Sequence, residues 1–251
     1  MNRHKPFEIK FANGRTARAV HVQQQDELIG ALRDLGLAPR PTLVVVGGAA
    51  GLGAAAPKEL HHLFAAALAP LAQSFGANVI DGATDSGVIQ LMGGAREEIG
   101  GTFPLIGVAA IGNVALPGAE ARGKDTWQLE PHHTHFVLVP GSDWGDEVPW
   151  ISRAATLLAR GSASLTILVN GGEVAWDDVE QSIQDKRPVI VVGGSGRTAD
   201  ILAAAVRGDS TNARARGLIE SGFVRTIDLA DDPREVVASI KQFLSEGATY
   251  G

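Results

Sequence analysis

Residues 186–200 read Lys-Arg-Pro-Val-Ile-Val-Val-Gly-Gly-Ser-Gly-Arg-Thr-Ala-Asp. A four-residue β-branched run, Val189 to Val192, meets the glycine turn Gly193-Gly194-Ser195-Gly196, and Arg197 then opens a segment with helical spacing to Val206. Strand, glycine turn and helix in that order are what a parallel sheet covered by helices requires of each connection. The run is apolar at every position, so it suits a strand buried on both faces rather than one with a wet side.

The same rhythm recurs outward in both directions. Short aliphatic runs lie at Leu43–Val46, Asn78–Ile80, Leu105–Val108, Phe136–Val139, Leu165–Val169 and Thr226–Leu229. Helical patterns lie between most of them, at Pro57–Phe75, Gly87–Ile99, Val148–Ala159, Trp176–Gln184 and Pro233–Leu244, with Pro70 placed to kink the first. The expected fold is α/β: a Rossmann-like, doubly wound, mostly parallel sheet with helices on both faces. Ahead of it, Phe7–Ala12 and Thr16–Val22 alternate around Asn13-Gly14, which predicts a hairpin with a two-residue turn and positive φ at both central residues. Asp26–Leu35 predicts a helix ended by Gly36. Residues 1–40 therefore form an N-terminal hairpin and helix extension, and 41–251 the main domain. The crossover from Gly112 to His135 lacks periodicity and is expected to be irregular.

Composition narrows the function. The 251 residues are 45% hydrophobic and 20% charged, as in ordinary globular chains, and contain no Cys, which rules out thiol catalysis, disulfides and Cys-ligated metals. A net charge of -6 opposes a broad grip on nucleic acid. The charged first ten residues lack a signal-peptide core and no apolar stretch approaches a membrane span, so a cytoplasmic protein with neither membrane nor nucleic acid as partner is expected.

Glycine is the conspicuous residue, with 31 copies, many directly after the aliphatic runs. Gly47-Gly48 follows the first core run; Asp81-Gly82-Ala83-Thr84-Asp85-Ser86-Gly87 follows the second; Asn170-Gly171-Gly172 and Gly193 to Gly196 follow later ones. Loops at strand carboxyl ends share one crevice, and glycine amides beside helix N-termini make an anion cradle there. Arg197 adds a guanidinium able to clasp a phosphate. The plain alternative is that these glycines only make tight turns and that Arg197 pairs with a surface carboxylate.

Other motifs fail. Gly51-Leu52-Gly53-Ala54-Ala55-Ala56 has dinucleotide-fingerprint spacing, but Pro57 starts the helix too late and Asp81 lies too far on. Gly118 to Lys124 has Walker spacing with Asp125 in place of Ser or Thr. Gly193 to Arg197 lacks the last glycine of a nucleophile elbow. His132, His133 and His135 are the densest imidazole group, with a metal pair weighed against hydrogen bonding at a strand edge. Trp150 and Trp176 suit packing; Trp144, in a loop after a core strand, can stack on a base.

The segments His132–Val139, Trp144-Gly145-Asp146-Glu147-Val148-Pro149 and Lys186–Asp200 resemble the cytosolic N-terminal domain of TRPM channels. That domain belongs to the SLOG superfamily, and the chain is similar to its prokaryotic LSDAT branch over roughly residues 40 to 207. The resemblance implies a fold that binds nucleotides or nucleotide-derived signals such as ADP-ribose. It implies a phosphate-binding turn at Gly194, Ser195, Gly196 and Arg197, a stacking aromatic at Trp144, and an arginine position close to Arg153. The same superfamily holds the LOG phosphoribohydrolases with their P-G-G-x-G-T-x-x-E segment; here Asn170 to Asp177 keeps Gly171 and Gly172, lacks the Gly-Thr pair, and puts Asp177 at the catalytic Glu position.

Two functions follow as expectations. The first is binding of a nucleotide-derived small molecule of the ADP-ribose kind, with glycine amides of Gly47, Gly48, Gly87, Gly171 and Gly172 and the polar groups of Thr84 and Ser86 lining the crevice, and Asp81 or Asp85 accepting ribose hydroxyls. The second is cleavage of an N-glycosidic bond with Glu173 or Asp177 as the carboxylate. The missing Gly-Thr pair favours binding. No cofactor is required, although a divalent cation can accompany ligand phosphates. A homo-oligomer or a separate effector protein stays open.

Overall fold

A computed structural model describes residues 5–48, 56–118, 126–209 and 211–247. The chain begins with β1 (Phe7–Lys10), β2 (Thr16–His21) and α1 (Leu28–Asp34). It continues through β3 (Thr42–Gly47), α2 (Ala56–Leu63), α3 (Ala69–Phe75), β4 (Asn78–Asp81), α4 (Gly87–Glu98) and β5 (Leu105–Ala110). Two short strands, β6 (Val114–Ala115) and β7 (Trp127–Gln128), precede β8 (His135–Val139) and α5 (Val148–Ala159). Then come β9 (Ser164–Val169), α6 (Glu173–Gln184), β10 (Val189–Gly193), α7 (Arg197–Val206), α8 (Ala213–Glu220), β11 (Val224–Asp228) and α9 (Pro233–Gly247).

Nine strands form one sheet in the order β1-β2-β8-β5-β4-β3-β9-β10-β11, parallel throughout except for β1 against β2. Strand side chains alternate between the two faces of the sheet, and a third cluster (Ile9, Ala17, Ala19, Ala109, Phe136, Leu138) packs where the hairpin joins β8. Val44 and Val46 of β3 face one side with α1, α5, α6, α7 and α8; Leu43 and Val45 face the other with α2, α3, α4 and α9. Burial on both faces is the reason these strands read as continuous aliphatic runs. From β3 in mid-sheet the chain winds outward through β4 and β5 to β8, then returns to β9 on the other flank of β3. The strand order thus reverses between β3 and β9, and that reversal is where an open α/β sheet leaves a crevice.

Several local expectations need correcting. The hairpin loop runs from Phe11 to Arg15, closed by Phe11 N–H to the Arg15 carbonyl (2.9 Å), and only Gly14 has positive φ; Asn13 does not. The N-terminal hairpin joins the main sheet, β2 lying parallel to β8. The first long helix passes through a π-helical turn, Phe64–Leu68, just ahead of Pro70, which has no N–H to return to the preceding turn. The crossover after β5 contains the two-stranded β6–β7 sheet. Helix α6 starts at Glu173, three residues before the predicted Trp176, and α8 was not anticipated at all. The fingerprint-like Gly51 to Ala55 and most of the Walker-like Gly118 to Lys124 lie outside the described residues. No helix among the described residues is long and apolar enough to cross a membrane.

Candidate functional site

A crevice of about 780 Å³ opens at the strand reversal. Its floor comes from the ends of β3 (Val45 to Gly48), its sides from the β4 loop (Gly82, Thr84, Ser86), the β8 loop (Trp144, Glu147) and the start of α6 (Gly172 to Ala175, Asp178), with Arg197 from α7 and Trp127 from β7. That volume lies within the range of small-molecule sites.

The β3, β9 and β10 loops are built as one piece around Asn170. Its side-chain amide donates to the Gly48 carbonyl (3.0 Å), its backbone N–H donates to Ser195 Oγ (2.8 Å), and its carbonyl accepts from Ala199 N–H (2.8 Å). Thr198 Oγ1 donates to the Gly172 carbonyl (3.0 Å). Close approach explains Gly47: a Cβ there would sit 1.9 Å from the Val169 carbonyl oxygen across the β3–β9 seam, so only glycine fits.

Arg197 occupies positive φ (46°), a strained conformation for a side-chain-bearing residue and one found at ligand-holding turns. Its exposed guanidinium lies against the backbone of both other loops: a Cβ on Gly172 would be 3.3 Å from each terminal nitrogen, and one on Gly48 4.0 Å from one of them. Among the described residues no carboxylate pairs with it.

The sequence-predicted residues divide. Gly47, Gly48, Thr84, Ser86, Trp144, Gly172, Glu173 and Arg197 line the crevice. Gly171 and Gly196 support it with positive φ (97° and 106°), and Gly87, also at positive φ (53°), opens α4 behind Ser86. The Gly194 amide is already taken, donating to Asp200 Oδ1 at 2.7 Å, and Ser195 is buried with its hydroxyl donating to the Val192 carbonyl. Arg153 is exposed on α5 and does not line the crevice. Neither aspartate expected at a ribose or cation reaches the crevice lining. Asp85 accepts from Gln90 (3.0 Å), and Asp81 is fully buried, its Oδ1 accepting from Ala83 N–H (2.9 Å) and contacting His133 Nε2 (2.8 Å).

The three histidines do not converge: His132 and His133 share Glu130, and His135 has a different partner. His133 is buried between Asp81 and Glu130 (Nδ1 to Oε2, 2.7 Å), and those two carboxylates hold its pKa up at about 9 against the opposing effect of burial. His132 also engages Glu130, whereas His135 contacts Thr134 Oγ1 and is held down at about 4 by burial and by Arg18.

Asp177 does not line the crevice. It pairs with Arg214 of α8 (2.6 Å), which also reaches Glu180 (2.7 Å) and Glu173 (3.3 Å) and covers the Trp176 ring. Its neighbour Asp178 does face the crevice. Counted strictly from Asn170, Asp178 is the ninth position of the glycine segment, where the hydrolases carry Glu, so the assignment to Asp177 was one residue out of register. Asp178 lies one turn beyond Val174 and Ala175 on the same helix face.

Opposite it is Glu147, 8% exposed, with Oε2 accepting from Gly145 N–H (3.1 Å). Burial raises the Glu147 pKa. Enclosure, then the charges of Glu147 and Asp177, push Asp178 up to about 8, although part of its surface still opens to the crevice. Sequence reasoning missed Glu147, Asp178 and Trp127 as site residues.

Fold and crevice define a doubly wound α/β protein with a crevice of small-molecule size at its strand reversal. The family described as "SLOG in TRPM, prokaryote" (LSDAT_prok) matches residues 40–238, and the chain belongs to it. The chain is 26% identical over 201 residues to the mouse Transient receptor potential cation channel subfamily M member 2, covering 66% of this chain and 13% of the relative. The rat protein of that name is 25% identical over 181 residues (58% and 12%). Transient receptor potential cation channel subfamily M member-like 2 of Nematostella vectensis is 26% identical over 204 residues (66% and 13%). The matched region is thus a small part of each of these relatives.

Proposed function

We propose that the crevice binds a nucleotide-derived ligand of the ADP-ribose kind, with a phosphate at Arg197 and the neighbouring glycine backbone and a base on Trp144. The observation that carries this is the Arg197 guanidinium, held over the Gly48 and Gly172 loops at the strand reversal with no carboxylate partner among the described residues. A cation beside exposed backbone at helix starts is suited to an anion. Family membership supports the same reading. Calorimetry with ADP-ribose, cyclic ADP-ribose, NAD and AMP tests it: at least one binds, and Arg197→Ala weakens that binding by about 1.5–3 kcal/mol. A flat response to the whole panel overturns the proposal.

The Glu147–Asp178 pair favours a second reading, cleavage of an N-glycosidic bond. Asp178, a carboxyl kept protonated near neutral pH, can donate to the departing base as water takes the base's place on the ribose carbon, with Glu147 facing the same space. Free base released from AMP or NAD, followed by chromatography, is its signature. Absence of turnover with the crevice saturated removes it.

A further inference from the structure

We propose that Trp127 and Trp144 form the two walls of one subsite, between which a planar heterocyclic base is held. This rests on the nucleotide-binding reading and adds the recognition element for the base. Of the four tryptophans in the chain, Trp150 and Trp176 are buried packing residues, the latter under Arg214. Trp127 and Trp144 are the reverse: 45% and 46% exposed, and both line the crevice. Among the described residues neither ring stacks on another aromatic ring or lies beneath a cation.

Under each bare ring the backbone is fixed. Trp127 donates its N–H to the Asn113 carbonyl (2.9 Å), and the strand it starts is tied onto the β4 loop by Asp85 N–H to Gln128 O (2.8 Å) and Glu130 N–H to Ala83 O (2.9 Å). The Trp144 loop is tied by Asp146, whose Oδ2 accepts from Ser142 and Asp143, and by Gly145 N–H to Glu147. The two reach the crevice from different walls. Trp127 comes over the β4 loop, and Trp144 comes over the first turn of α6, where Gly145 faces Val174.

Two large apolar faces left to water on anchored backbone are costly for the free protein and useful for a flat guest, because stacking covers both faces without demanding a particular hydrogen-bond pattern. The subsite therefore selects for an aromatic base joined to a phosphate, and tolerates exchange of one base for another.

The test compares AMP, ADP-ribose and ribose 5-phosphate by calorimetry and tryptophan fluorescence in the whole chain. The base-bearing ligands bind more tightly than ribose 5-phosphate and quench the emission. Trp127→Ala and Trp144→Ala each weaken them by about tenfold or more and leave ribose 5-phosphate unchanged, while Trp127→Phe restores most of the loss. Melting temperatures stay near wild type because both rings are exposed, so lost binding is not lost folding. If Trp127→Ala binds AMP and ADP-ribose as wild type does while Arg197→Ala loses them, the clamp is wrong and the phosphate site stands. If neither nucleotides nor ribose 5-phosphate bind the wild type, both fall.

Discussion

Gly172→Ala moves the Arg197 guanidinium without removing it. Gly172 has φ of −119°, which alanine adopts without strain, so the backbone tolerates the change. The new methyl would lie 3.3 Å from each terminal nitrogen of Arg197 and 3.6 Å from Cζ. Ordinary contact is about 3.5–4.0 Å, so the guanidinium must retreat by roughly 0.2–0.7 Å. Charged N–H to O hydrogen bonds are short, near 2.8 Å, and a shift of that size weakens them without abolishing them. Of the roughly 1.5–3 kcal/mol at stake, a third to a half is expected to go, which is about a two- to twelvefold loss of affinity. Calorimetry measures this with ADP-ribose and with ribose 5-phosphate, and the loss should be equal for the two because only phosphate is affected. A thermal melt within a few degrees of wild type confirms the fold. Wild-type affinity in both Gly172→Ala and Arg197→Ala refutes the placement of phosphate at this guanidinium.

Gly47→Ala should cost stability at or above the upper end of the roughly 1–3 kcal/mol typical of overpacking, read as a lower urea midpoint, because its methyl meets a main-chain oxygen that cannot move aside. The His133 ion cluster gives a pH signature. Its raised pKa means a contribution fully present below 6.5 and lost as pH climbs through about 9; Glu130, held below its usual value, adds stability that disappears as pH falls below 4.5. His135, held at about 4, costs stability as pH drops below 6.5, and His133→Gln flattens the alkaline limb. An unchanged alkaline limb in that variant sinks the assignment. Asp178 has a raised pKa, so its ionisation penalises folding increasingly between pH 3.8 and about 8; Asp178→Asn should raise the melting midpoint at pH 8 and have little effect at pH 4.

The sheet was legible because burial on both faces writes itself into consecutive residues such as Val189 to Val192. The glycine loops marked strand ends for the same reason: Gly47 has no tolerable alternative at the seam it occupies. Helix α8 was hidden because its stripe is thin, with Ala215 and Leu218 as its buried residues, and the Asn212 cap that bonds Ala215 N–H is a single-residue signal. The π-helical turn depends on how Phe64 and Leu68 pack, which periodicity does not register.

In the site, individual glycines were easier to find than their partners. Glu147, just ahead of α5, and Asp178, within α6, are ordinary acids in sequence, and their character arises only when the β8 loop folds against α6. Trp127 sits in a crossover where the described residues form two strands of two residues each, too short to leave a periodic signal. A careful count from Asn170 was the one available signal for Asp178.

The knot of hydrogen bonds around Asn170 carries a thermodynamic corollary. Three turns that would otherwise wander separately lose their freedom together when the chain folds, so the entropic bill for shaping the receptor is settled before any guest arrives. On the proposed phosphate-binding reading, what a ligand gains from contact there is realised almost in full, and severing that single junction should slacken phosphate capture and the Gly48 and Gly172 contacts in one stroke.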